Sequence, residues 1–69
     1  MFNRKQFSED IFMLRSAKGL SKLAAADEIG ITPSTMQVLE ENNFNPRINT
    51  YRKVCKWMGK SMEFYFINN

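Results

Sequence analysis

Apolar residues recur at three- and four-residue intervals along most of the chain, and short polar stretches with glycine, proline or capping residues separate them. This pattern predicts a succession of short helices. The run Phe7-Ser8-Glu9-Asp10-Ile11-Phe12 reads as a helix start. Ser8 would cap the free amides, the two acids would favour the positive end, and Phe7 would staple onto Phe12. Ile11 and Leu14, with Phe7 and the stem of Lys18, form the apolar side of this first helix, which Gly19 stops after about Ala17.

Ser21 then caps a second helix over about 22–29, and Gly30 follows where the chain must turn with a positive φ. Ile31-Thr32-Pro33 supplies a buried anchor, an N-cap and a proline at the first helical position, opening a third helix over about 33–41. After the turn-rich Asn42-Asn43-Phe44-Asn45-Pro46, Asn49 would cap a fourth helix, Thr50 to Met58, ended by Gly59. The aromatic run Met62 to Ile67 fits either a single helical turn or a short edge strand, and a short helix is the preferred reading. The expected class is all-α, a bundle of about five short helices in one domain, 1–69.

Composition narrows the function. A chain of 69 residues has a small core, and its single cysteine rules out an internal disulfide. Cys55, one turn after Tyr51 and beside Val54, reads as a small buried side chain, and the five methionines read as adaptable filling. Histidine is absent, which removes the usual general base and the commonest transition-metal ligand, so no metal, cofactor or small-molecule substrate is expected. The paired acids Asp27/Glu28 and Glu40/Glu41 are adjacent and point to different sides of their helices, so an enzyme is not expected. No apolar run is long enough to cross a bilayer, and the chain reads as cytoplasmic, with no membrane partner. Ten Lys and Arg against seven Asp and Glu leave a net charge of +3, with Arg47, Arg52, Lys53, Lys56 and Lys60 gathered in the C-terminal third, as on a polyanion-facing side.

The region Ser21 to Glu40 carries the strongest signal. Two short helices joined by a three-residue turn make a helix-turn-helix only when small and apolar residues fall at particular offsets. Ala26, four residues before Gly30, leaves room for the following helix, and Ile29, Ile31, Met36 and Leu39 lock the two helices together as core.

With Leu14-Arg15, Lys18-Gly19-Leu20-Ser21, Ile29-Gly30-Ile31-Thr32, Ser34-Thr35-Met36, Leu39-Glu40, Asn45-Pro46, Tyr51, Val54 and Met58-Gly59, the chain resembles the Cro and repressor type helix-turn-helix family of phage and bacterial transcription regulators. The resemblance implies a lambda-repressor-like bundle, with helix 3 in the major groove of double-stranded DNA and a homodimer, at least on DNA, reading half-sites about one helical turn apart. By the same resemblance Thr32, Pro33, Ser34 and Val38, with Gln37 beside them, are candidate base contacts. Lys22, Thr35, Asn43, Asn45 and Arg47 are the candidate backbone contacts.

The chain departs from the family pattern in places. Lys22 stands where glutamine is usual, Ala25 where a larger apolar residue is common, and Leu23 where a polar group is common, which predicts altered packing between helices 1 and 2. Helix 3 has no Lys or Arg and ends in Glu40-Glu41, so it offers no bidentate arginine to guanine, and modest affinity per monomer follows. A dimer would offset that weakness, and Trp57, Phe64, Tyr65, Phe66 and Ile67 are the candidate seam. The alternative is a helix-turn-helix interaction module whose neutral helix 3 and aromatic tail bind another regulator instead of DNA.

Overall fold

A computed structural model describes residues 2–41 and 46–66. Among these residues the chain forms four helices: α1 (Arg4–Ala17), α2 (Lys22–Ile29), α3 (Pro33–Glu40) and α4 (Ile48–Met58). The fold is all-helical, as expected, with one helix fewer than the five anticipated.

The start of α1 differs from the sequence expectation. Asn3, not Ser8, caps the helix, its side-chain oxygen accepting from the Gln6 amide at 3.2 Å. The chain ahead of Phe7 has somewhere to go: the Phe2 ring lies 5.4 Å from Phe7 and 5.6 Å from Tyr51, and the Asn3 amide donates to the Tyr65 carbonyl. With the N-terminal segment held by these contacts, the helix begins a turn earlier. Ser8 is then a buried mid-helix residue whose hydroxyl donates to the Leu39 carbonyl at 2.5 Å. Phe7 faces the core while Phe12 is 51% exposed, so no staple joins them.

The helix-turn-helix follows its predicted punctuation closely. Ser21 accepts from the Ala24 amide at 3.0 Å, and Gly30 takes a left-handed φ of 91° that lets its amide, and that of Ile31, return to the Ala26 carbonyl. Thr32 accepts from the Thr35 amide at 3.2 Å and Pro33 opens α3. Met36 and Leu39 are buried, and α3 ends at Glu40, one residue short of the expected limit.

The last third needs two corrections. Asn49 does not cap α4. Arg47 holds the cap position without a side-chain bond, and the Tyr51 amide already donates to the Arg47 carbonyl, which leaves Asn49 inside the first turn. After Gly59, the stretch from Ser61 to Phe66 is neither a helix nor a strand. Two i→i+3 bonds, Phe64 to Ser61 and Phe66 to Glu63, make successive turns, and Phe66 then forms an isolated antiparallel bridge with Phe2. The tie between the two ends decides this geometry, because Tyr65 must turn inward while Phe66 pairs outward.

The core is Phe7, Ile11, Ala25, Ala26, Ile29, Met36, Leu39, Tyr51, Val54, Cys55 and Tyr65, drawn from all four helices and the final turn. Ala25 is fully buried and Leu23 is 66% exposed. At these two positions the small alanine lies in the core and the leucine points to solvent. Tyr65, at 1% exposure, belongs to this core instead of the surface seam expected for it. Its ring packs edge-on against Phe7 and its hydroxyl donates to Asp10 at 2.7 Å. Burial, with the Asp10 carboxylate adding to it, pushes the Tyr65 phenol well above its ordinary range, so the group stays a donor.

Candidate nucleic-acid interface

The turn at Gly30 sets α3 across α2, and the helical repeat then divides α3 into two sides. Met36 and Leu39 face the core. Pro33, Ser34 and Gln37 are exposed on the other side, with Thr32 ahead of them. These side chains share one outward surface because positions three and four apart in a helix, such as Ser34 and Pro33 relative to Gln37, lie on the same face.

The structure sorts the base-contact candidates by what their polar atoms already do. The Thr32 hydroxyl is engaged in the cap and lies 2.9 Å from the Thr35 hydroxyl, so both threonines chiefly fix the start of α3. Val38 is half-buried and leans towards the protein. Gln37 is exposed, its amide nitrogen 3.4 Å from Glu41, a long contact that reaching a base edge would break. Ser34 and Pro33 stand open.

Among the backbone candidates, Lys22 is exposed at the first position of α2 and Arg47 is exposed at the cap of α4. Thr35 is half-buried. Asn43 and Asn45 lie outside the described residues. The first amides of α3, beside Pro33 and Ser34, add the partial positive charge of a helix N-terminus to this surface.

Sequence reasoning missed what holds this face in place. Arg15 of α1 forks onto Glu40, Nε at 2.7 Å from one carboxylate oxygen and Nη2 at 3.0 Å from the other, while Nη1 donates to the Leu20 carbonyl at 3.0 Å. Glu40 is thereby drawn inward, so only one of the two acids at the end of α3 faces solvent freely. At the other end, Lys53 of α4 donates to the Gly30 carbonyl at 3.1 Å. These partners are 25 and 23 residues apart, and helical spacing gives no signal for contacts at such separations. The outward positions of α3 were readable because periodicity alone places them.

Trp57, expected on a dimer seam, is half-buried, and its indole donates to Glu28 at 3.0 Å. That bond, with Lys18 at 3.6 Å adding to it and partial desolvation opposing it, holds the Glu28 carboxyl below the usual carboxylate range. Phe64 and Phe66 are 53% and 51% exposed, and Ile67 lies outside the described residues. No group of three or more His, Cys, Asp or Glu side chains suited to a metal ion occurs among the described residues, and no helix is long and apolar enough to cross a membrane.

Over 53 residues, 77% of its length, the chain is 34% identical to the HTH-type transcriptional regulator PuuR of Escherichia coli K12, and equally to the protein of that name in Shigella flexneri. The likeness supports a helix-turn-helix regulator. The chain spans 29% of the length of these relatives, which are transcriptional regulators by name. No protein-family model matches the sequence, and no solved structure matches it.

Proposed function

We propose that the chain is a sequence-specific, double-stranded DNA-binding transcription regulator of Cro-like or repressor-like type, which inserts α3 into the major groove. The observation that carries this reading is the outward face of α3. Pro33, Ser34 and Gln37 are free of the core in the first half of a helix whose N-terminus is capped by Thr32, and Lys22 and Arg47 are exposed at the starts of α2 and α4. Ser34 donates or accepts at a base edge, Gln37 suits adenine, and Pro33 suits a thymine methyl. Thr32, Thr35 and Val38 serve as supporting contacts, and Asn43 and Asn45 join Lys22 and Arg47 on phosphates.

One uncharged helix reads DNA weakly, and a homodimer spanning two half-sites about 34 Å apart compensates. For the seam, the structure favours Phe64 and Phe66 over Trp57, whose indole is already used within the subunit. A groove of about 250 Å³ lined by Phe2, Pro46, Ile48, Tyr51 and Phe66 adjoins them, and Ile48 is itself exposed.

The test is a titration of labelled duplexes at two salt concentrations, followed by selection from random duplexes. Binding that weakens steeply with salt and enriches a two-fold symmetric site supports the reading. Enrichment of no sequence, or tight binding to another regulator that salt leaves unchanged, overturns it in favour of an interaction module.

A further inference from the structure

The basic residues of α4 are left over once the helix-turn-helix is accounted for. Asn49, Arg52, Lys53 and Lys56 stand at i, i+3, i+4 and i+7, the spacing that aligns side chains on one helix face, and all four are exposed. The opposite side of α4 is core, with Tyr51, Val54 and Cys55 buried. Between Pro46 and Met62 the sequence holds five cations and no acid.

This face adjoins the turn that leads from α2 into α3. Lys53 donates to the carbonyl of Gly30, three residues before α3 begins, and Lys53 and Lys56 line one groove with Ile29, Glu28 and Trp57. At its other end the stripe starts two residues after Arg47.

We propose that Arg52, Lys53 and Lys56 form a second phosphate-binding track, which holds the sugar-phosphate backbone of the duplex beside the half-site that α3 reads. The inference rests on the DNA-binding reading and adds to it a sequence-independent contact outside the helix-turn-helix. From Asn49 to Lys56 the helix rises about 10 Å, the rise of about three nucleotides of one strand at about 3.4 Å each. The chemistry favours DNA over a protein partner. The stripe has no apolar or aromatic member, whereas the centre of a protein interface is rich in aromatic residues and poor in lysine. It also supplies the charge that α3 lacks.

The experiment compares the wild-type chain with Arg52→Ala/Lys56→Ala, leaving Lys53 on its Gly30 carbonyl. Arg4→Ala/Lys5→Ala, at the start of α1, serves as a control that removes the same net charge. The probes are random-sequence duplexes of about ten and about thirty base pairs, roughly one and three helical turns. The α4 variant is expected to lower the slope of log affinity against log salt by about two, since each neutralised phosphate contributes about 0.9. It should weaken low-salt binding roughly ten- to hundredfold and lose the advantage of the longer duplex, while the α1 control keeps the wild-type slope. Thermal melts monitored by circular dichroism should coincide for all three proteins, because the altered side chains are exposed.

An α4 variant with the wild-type slope, or a control that loses as much slope, overturns the track and leaves the reading of α3 standing. Wild-type protein without salt-dependent duplex binding overturns both.

Discussion

Arg15 and Glu40, 25 residues apart, meet in a forked ion pair that joins α1 to the end of α3, with side-chain exposures of 14% and 8%. The third guanidinium bond, to the Leu20 carbonyl, ties in the loop that leads to α2. One side chain thus sets the position of α3 relative to two other segments. Arg15→Ala leaves a nearly buried carboxylate without its partner and is expected to destabilise the fold by about 2–4 kcal/mol, measured by urea denaturation. Arg15→Lys keeps the charge but loses the fork, so it should recover only part of that loss. A Lys variant as stable as wild type would show that charge alone suffices.

Ser8 presents a smaller test of the same interface. Its hydroxyl is the side-chain donor to the Leu39 carbonyl near the end of α3. Ser8→Ala should cost about 1 kcal/mol through the lost hydrogen bond to the Leu39 carbonyl, whereas an exposed capping serine would cost helix content instead. Urea melts and the far-ultraviolet circular dichroism of the folded protein separate the two.

Thr32 and Ser34 are neighbours in sequence with different expected phenotypes. Thr32→Val removes the cap on Thr35 and should lower stability by about 1 kcal/mol, weakening all duplexes alike. Ser34→Ala leaves stability unchanged and alters base preference at one position, as read by selection from random duplexes. Equal losses on cognate and random DNA for Ser34→Ala would remove it from the reading face.

Tyr65 predicts an alkaline limit. Its phenol is raised by burial, and then by Asp10, above the value of about 10 that it has in the unfolded chain. A raised folded pKa gives stability that is fully present below the unfolded value and is lost as pH climbs beyond it. Denaturation free energy should therefore fall above about pH 10, and Tyr65→Phe should flatten that fall. Tyr51, raised by its own burial, retains a share in the variant.

Glu28 offers a test of the Trp57 contact that is independent of stability. Trp57→Phe removes the indole donor, and the Glu28 carboxyl should then titrate at higher pH, as followed by carboxyl-carbon NMR. An unmoved titration would show that Lys18 alone holds it.

The helix-turn-helix was legible because its determinants are local. Ser21, Gly30, Thr32 and Pro33 each act within one helical turn, by capping an amide, allowing a left-handed φ or opening a helix, and the structure finds the three helix boundaries they mark where spacing predicts. Ala26, Met36 and Leu39 were legible as core for a related reason, since helical periodicity alone decides which side they occupy.

The two ends of the chain were decided by tertiary contacts. Ser8 has every local feature of a cap, yet Phe2 finds Phe7, Tyr51 and Phe66, and the helix starts earlier. Met62 to Phe66 has neither helical nor strand commitment of its own, so the burial of Tyr65 and the bridge from Phe66 to Phe2 determine its path. The bracing of α3 by Arg15 and Lys53 belongs to the same class. The amino-acid sequence by itself determined α2, the start of α3 and the outward placement of Pro33, Ser34 and Gln37, because those outcomes depend on neighbours within four positions. Only the folded structure decided how Phe2 and Phe66 meet, which acids are paired and what holds the reading helix, because those contacts join residues that the sequence keeps far apart.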